Sequence, residues 1–338
     1  MRFSDDNKML VSVGMDQEHS IALWESPSGS WNDGRLLACA KGDAEPVLFC
    51  CFFGSSTDLH FLASGGRFHQ KFWKLDGRCL NSHYPECEAS LKFGTLLCGA
   101  TAQNKFLSGS SSGEVFVWEG RKMSRIIRAH GTGVTCIWAD NGAGVLTSAK
   151  DGIVKQWTIE MKHLRSFSLA NADVPPILPC IKSLDAVLLS SGTKGRPGDV
   201  TVSIKRIVVS TNSGEIYEIA GKSGGTTLVH ESHYEGELWG LCTSPGDPDL
   251  FATCGDDRTV RVWSIASRRL LRKAVLDCTA RSISWSGDGR NLLVGLGGSA
   301  DNKRQKKDGA WLLLNAESLK PIFEGRCVKA SSVYFCLR

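Results

Sequence analysis

A chain of 338 residues, 42% of them apolar, holds enough material for a large core, while a net charge of +5 built from mixed signs is too mild to argue for nucleic acid. No apolar run exceeds strand length and the opening MRFSDDNKML has no signal-peptide core, so neither a membrane partner nor a secreted protein is expected. Thirteen cysteines, an odd number without a Cys-x-x-Cys pair, fit free thiols in a reducing compartment better than a disulfide framework or a zinc site.

In chain order, one pattern recurs. A short apolar run leads into a turn of small residues with Asp or Gly, then into an alternating run that ends in an aromatic. It appears first in MLVSVGMDQEHSIALWE, ending at Trp24, then in HFLASGGRFHQKFWK with Trp73, KFLSGSSSGEVFVWE with Trp118 and GVLTSAKDGIVKQWT with Trp157. RIVVSTNSGEIYEIA follows, with Tyr217 near the aromatic slot, then FATCGDDRTVRVWS with Trp263 and NLLVGLGGSADNKRQKKDGAWLLLN with Trp311. In residues 251–264, Val260 and Val262 share one strand face, Thr259 and Arg261 the other, and Gly255-Asp256-Asp257-Arg258 makes the turn. The tryptophans that end successive copies stand 39 to 49 residues apart except across the Tyr217 copy, a period typical of propeller blades.

Each hairpin has further strand-like neighbours. VLFCCFF, TLLCGAT, GVTCIWA, ELWGLCT and RSISWSG precede the copies, and looser runs such as RIIRAH and RLLRKAV follow them. Four strands per unit predict an all-β fold, a β-propeller of about seven four-stranded blades. The expected units are residues 1–42, 43–86, 87–130, 131–170, 171–232, 233–276 and 277–326, with 327–338 as a ring-closing strand. One blade buries only part of its apolar surface, so blades must stack. Residues 172–199, rich in Pro, Gly and Ser, read as an irregular excursion in which Leu184 to Leu189 is strand-like.

Two units carry a fuller polar set: His130, Thr147, Asp151 and Trp157 in one, His233, Thr253, Asp257 and Trp263 in the other. A partly buried indole N–H, an imidazole and a carboxylate all need hydrogen-bond partners. The set resembles that of WD40 repeats. The resemblance implies that Asp accepts from its own turn and from His, while Thr links His to the Trp indole. A hydrolytic Thr–His–Asp site is the competing reading. Repetition favours a blade lock, because a catalytic site is built once. In two other units Ser112 and Ser213 stand where Asp would be, so those blades are expected to be held by packing alone. The Gly-rich GLGGSADNKRQ lacks the Lys-Ser/Thr of a P-loop, and the scattered acids lack EF-hand spacing. No catalytic residue, cofactor or metal ligand is assigned, and the chain reads as no enzyme.

The stretch HYEGELWGLCTSPGDPDLFATCGDDRTVRVW, with VVSTNSGEIYEI, SGSSSGEVFVW, AHGTGV and SAKDGIVKQW before it, resembles the echinoderm microtubule-associated protein-like (EMAP-like) family. The likeness covers nearly the whole chain and is strongest over residues 107–263. It implies a cytoplasmic, cytoskeletal WD-repeat protein that associates with microtubules or tubulin, built as tandem propellers. The chain lacks the hydrophobic motif and the N-terminal coiled coil of that family. It therefore reads as a partial chain, whose seven units are either one ring or a window across two. The alternative is a generic WD-repeat adaptor subunit of a ciliary, signalling or ubiquitin-ligase complex.

Loops and rims are where a partner would dock. The candidate contacts are Trp239 at the start of an innermost strand, Arg258 in the turn of the same unit, and Lys303, Arg304, Lys306 and Lys307. Those last four lie in a long turn, either a clamp for an acidic segment or a solvated basic loop.

Overall fold

Alternating apolar and polar residues between Gly- and Asp-rich turns favour antiparallel hairpins, and hairpins of this kind fill the structure. The computed structural model describes residues 1–53, 61–88, 91–192, 200–297 and 309–326. They form seven four-stranded antiparallel sheets, each built from four strands consecutive in sequence. The first sheet joins Arg2–Phe3, Met9–Val13, Ile21–Glu25 and Arg35–Ala40, and the second joins Val47–Phe52, Phe61–Gly66, Gln70–Asp76 and Cys79–His83. The third comprises Leu96–Ala102, Lys105–Ser110, Glu114–Glu119 and Lys122–Arg128, and the fourth Val134–Asp140, Gly144–Ala149, Ile153–Trp157 and His163–Ser168. Ile181–Gly192, Val200–Thr211, Ile216–Ala220 and Thr226–His230 make the fifth. The sixth contains Leu238–Thr243, Leu250–Gly255, Thr259–Ser264 and Arg269–Val275, and the seventh Ala280–Trp285, Asn291–Leu296, Ala310–Asn315 and Pro321–Arg326. The expected closing strand at 327–338 lies outside the described residues.

Two compact units contain these sheets: Met1–Asn212 with Ile216–Val229, and Ser213–Glu215 with His230–Arg338. In both, the core lies between neighbouring sheets. In the first unit, Leu62, Trp73 and Leu80 of the second sheet bury Val11, Ile21 and Leu23 of the first. Phe53, Phe72, Phe106 and Trp118 form an aromatic layer between the second and third, with Phe72 and Trp118 edge to face at 5.5 Å. Thiols add a further link. Cys51 Sγ donates to Gly99 O at 3.3 Å, Cys98 to Val134 O at 3.6 Å and Cys136 to Lys182 O at 3.1 Å, each reaching the next sheet. Burial pushes all three thiol pKa values up, so these cysteines act as packing groups rather than nucleophiles. In the second unit, Ala252, Val260 and Val262 pack on Leu292, Val294 and Leu314.

The expected irregular excursion is corrected in its second half. Ile181–Gly192 is a twelve-residue strand paired with the equally long Val200–Thr211. Before it, Asp173 ties the chain to the outer strand of the same sheet, its carboxylate accepting from Leu228 N at 3.1 Å. Pro and Gly misled because they cluster at the ends of this ribbon. Its core residues Ile181, Ile204, Ile207 and Val209 are buried.

Candidate functional site

A Trp on the third strand of a sheet lies beside the second strand, where its indole N–H needs an acceptor. In five sheets a hydroxyl supplies it. Trp24 Nε1 donates to Ser12 Oγ at 3.0 Å, Trp73 to Ser64 at 2.8 Å, Trp118 to Ser108 at 2.9 Å, Trp157 to Thr147 at 2.9 Å and Trp263 to Thr253 at 2.8 Å. The three serines were missed in the sequence, although a hydroxyl about ten residues before each Trp is a readable signal. Removing Ser108 Oγ by alanine substitution should cost about 1–2 kcal/mol in a urea titration, because the indole is left unpaired.

The sixth sheet carries the longest polar chain. Trp263 donates to Thr253 Oγ1, that oxygen lies 2.9 Å from His233 Nε2, and His233 Nδ1 lies 2.8 Å from Asp257 Oδ2. With Thr253 Oγ1 accepting from the indole, its own proton points to Nε2, and the imidazole then donates from Nδ1 to the carboxylate. Asp257 also accepts from Thr259 N at 3.0 Å and from Thr259 Oγ1 at 2.8 Å. Burial would raise the Asp257 pKa, but the hydrogen bonds it accepts from His233 and Thr259 hold it below the usual range.

Arg261 is a further residue that sequence reasoning missed. It is 0% exposed, on the strand face that alternation alone marks as polar and outward. Its Nε donates to Thr259 Oγ1 at 3.0 Å, and Nη2 lies 3.5 Å from Asp257 Oδ2. Nη1 lies 3.9 Å from Glu231, which also pairs with Lys273. Burial lowers the guanidinium pKa, opposed by Asp257, Glu231 and Glu215. Basic residues hold the same register elsewhere, two before the Trp. Lys71 Nζ reaches Gly42 O at 2.7 Å, and Lys155 Nζ reaches Ala129 O at 2.7 Å. A cation two residues before the Trp is thus a further readable element, anchoring the third strand to the preceding loop.

The fourth sheet has a shorter chain. Trp157 and His130 Nε2 meet at Thr147 Oγ1, the latter at 2.7 Å. Asp151 instead caps its own turn through Ile153 N at 3.1 Å, and His130 Nδ1 has no hydrogen-bond partner among the described residues. Burial and the Lys155 charge lower the His130 pKa to about 4, against a smaller pull from Asp151.

Packing alone does not hold the two serine-bearing turns, which corrects that expectation. Ser112 and Ser110 donate to Glu114, and Glu114 N donates back to Ser110 Oγ at 3.0 Å. Ser213 likewise donates to Glu215. Ser-Gly-Glu is therefore the reverse of Asp-Arg-Thr in the sixth sheet: hydroxyl and carboxylate exchange places, and the bond across the turn survives. The strand register also puts Ile219, opposite Ile207, in the slot of Trp263, while Tyr217, opposite Val209, matches Arg261.

At the middle of this turn Gly113, Gly152 and Gly214 adopt positive φ, and in the sixth sheet Arg258 does so at 59°. A left-handed arginine costs about 1–2 kcal/mol relative to glycine, and its side chain is exposed.

A β-bulge opens the first strand of six sheets, leaving one unpaired extra residue in each: Leu48, Leu97, Thr135, Lys182, Trp239 and Arg281. Bulges turn a side chain out of the pleat. Trp239 is 44% exposed, and Leu241 on the same strand face is 64% exposed. Trp239 Nε1 donates to Asp256 Oδ1 at 3.1 Å, and the Arg281 guanidinium sits 4.4 Å above its ring and 3.2 Å from the same carboxylate. Lys303, Arg304, Lys306 and Lys307 lie outside the described residues. Among the described residues no group of His, Cys, Asp and Glu is arranged to hold a metal, and no helix is long and apolar enough to cross a membrane.

The family model for the WD domain, G-beta repeat, matches residues 121–158 and 224–264. These two segments hold the His130 and His233 chains. Human echinoderm microtubule-associated protein-like 2 is 27% identical over 320 residues, covering 93% of this chain and 43% of that protein. The 77 kDa echinoderm microtubule-associated protein of Strongylocentrotus purpuratus is 25% identical over 317 residues, covering 91% of this chain and 40% of that protein. The chain thus spans less than half the length of these curated relatives. The crystal structure of the WD40 β-propeller domain of Doa1 aligns with a TM-score of 0.46 at 18% identity, covering 90% of this chain and 92% of that one. The chain is an all-β protein of seven four-stranded antiparallel sheets with two matched WD-domain, G-beta repeat segments, and it is related to echinoderm microtubule-associated protein-like proteins at 25–27% identity.

Proposed function

We propose that the protein is an EMAP-like scaffold of the cytoplasmic cytoskeleton that associates with microtubules or tubulin. The observation that carries the reading is the Trp239 cluster. A bulge presents the ring, Asp256 fixes its N–H, and Arg281 covers one face. An aromatic held in place while half exposed binds with little ordering cost, which is what an interaction hot spot requires. The strained Arg258 in the neighbouring turn supports the same side, because a conformational cost kept at an exposed residue points to use rather than stability. The names of the relatives support the cytoskeletal partner.

Co-sedimentation of the folded chain with polymerised microtubules across a salt series tests this. Saturable pelleting is expected, weakened about tenfold or more by Trp239→Ala while the unfolding free energy changes by less than about 1 kcal/mol. Arg258→Gly should raise stability by about 1 kcal/mol and weaken pelleting. A folded chain that never pellets, or a Trp239→Ala variant that pellets as well as wild type, overturns the reading in favour of an adaptor for another complex.

A further inference from the structure

The outermost strands carry a second set of bulges. In five sheets the fourth strand skips one residue where it pairs with the end of the third, and that extra residue is Leu37, Ser124, Leu164, Leu271 or Ile322. A bulge leaves its extra residue out of the ladder and turns it off the pleat. Leu164, Leu271 and Ile322 are accordingly 53%, 49% and 55% exposed. Four of the five side chains are aliphatic. The third sheet departs from the pattern with a hydroxyl, and Ser124 is exposed.

The flanks of Ser124 are strongly basic. Arg121 and Lys122 stand three and two positions before it, Arg125 follows it directly, and Arg128 comes four positions later. No other serine or threonine of the chain has Lys or Arg at both of those preceding positions. Its strand, Lys122–Arg128, is the outer edge of the third sheet and pairs within that sheet only with Glu114–Glu119. The segment after Cys79–His83 covers part of this edge: Glu86 N donates to Arg121 O at 2.8 Å, and Met123 N donates to Glu86 O at 3.0 Å. Ser124 is the first residue past that cover. Among the described residues its hydroxyl makes one bond, a long one of 3.4 Å to Glu119 Oε1, and that carboxylate is itself exposed and pairs with Lys105 at 3.7 Å.

We infer that Ser124 is a phosphorylation site, read by a protein kinase with an acidic substrate groove. Such a groove selects cations ahead of the hydroxyl by charge complementarity, and it takes its substrate as an extended segment. An edge strand is already extended and has one side unpaired, and the bulge turns the hydroxyl outward, so both demands are met on the folded sheet. In the transfer, Ser124 Oγ forms a bond to the γ-phosphorus of ATP. The bond from that phosphorus to the bridging oxygen breaks, ADP leaves with the electron pair, and the hydroxyl proton passes to the catalytic carboxylate of the kinase. The product places about two negative charges among Arg121, Lys122 and Arg125, and it removes the proton that Ser124 gives to Glu119.

The test incubates the folded chain with ATP and the catalytic subunit of cAMP-dependent protein kinase, whose substrate groove is of this kind, and locates the phosphate by tandem mass spectrometry. About one phosphate per chain is expected, on Ser124. Ser124→Ala should lower incorporation about tenfold or more, while Ser124→Thr, which keeps a hydroxyl in the bulge, should still be modified. Arg121→Ala/Lys122→Ala should lower kcat/KM about tenfold or more with the serine intact. The Arg121–Glu86 pair is exposed, so the double variant should unfold at the wild-type urea midpoint. A synthetic peptide of residues 118–128 measures accessibility, and the folded chain is expected within about tenfold of its kcat/KM. A peptide that is modified while the folded chain is not overturns the inference, because the edge strand then hides the hydroxyl. Phosphate found on another residue, such as Ser166, with Ser124 bare also overturns it, as does a double variant modified as fast as wild type. Microtubule pelleting is measured on the unmodified chain, so its failure leaves the phosphorylation site standing.

Discussion

Asp257→Ala is expected to cost about 3–5 kcal/mol, seen as a large drop in the urea midpoint of the sixth sheet. The size follows from what stays behind. Asp257 and Arg261 are both 0% exposed, and the carboxylate offsets a guanidinium that cannot reach water. Its loss also strips the acceptor from His233 Nδ1 and from both Thr259 donors. Asp151→Ala is the internal control. That carboxylate accepts from Ile153 N, so about 1 kcal/mol is expected. Equal costs for the two variants would sink the view that Arg261 makes the sixth-sheet network different.

Acid should destabilise the first unit through His130. Its folded pKa, about 4, lies below the ordinary value of 6.5, so between those values the unfolded chain binds the extra proton. The stability contribution is complete above pH 6.5, falls as pH drops towards 4, and levels off below. The total loss is about 3 kcal/mol. Two physical causes set it: burial of the imidazole, and a Lys155 ammonium that anchors in the same loop. Unfolding free energies for wild type and His130→Asn, measured from pH 7.5 to pH 4, isolate the effect, because carboxylate titrations are common to both. Parallel curves would remove it. A wild-type curve that falls away from that of the variant, by an amount growing below pH 6.5, is the expected result.

The repeat was legible in the sequence because its chemistry is local. A strand needs only alternation, a turn only Gly, Asn or Asp, and Trp24, Trp73, Trp118, Trp157 and Trp263 mark the third strands by their spacing. The hydroxyl that each indole finds was equally present, ten or so residues upstream, and went unread outside two units. Residues 181–192 were harder. Their apolar pattern is a good strand, but the Pro- and Gly-rich flanks dominate any short window, and only pairing with Val200–Thr211 shows the strand to be long.

What the sequence determined by itself is the architecture: all-β, strand–turn–strand, repeated, with polar links at the third strand. Every one of those features is set within a few tens of residues. What only the tertiary structure decided is which polar side chains are inside and which apolar ones are outside. Arg261 and Lys150 are both basic residues near a β-turn, yet one is sealed by Asp257, Glu231 and Thr259 while the other faces solvent. Trp239 and Trp263 are both strand tryptophans, yet a bulge one residue long swings the first outward, and the second joins a hydrogen-bonded chain. Burial and register depend on neighbouring strands brought from elsewhere in the chain, and a one-residue shift in pairing exchanges the two faces of a strand.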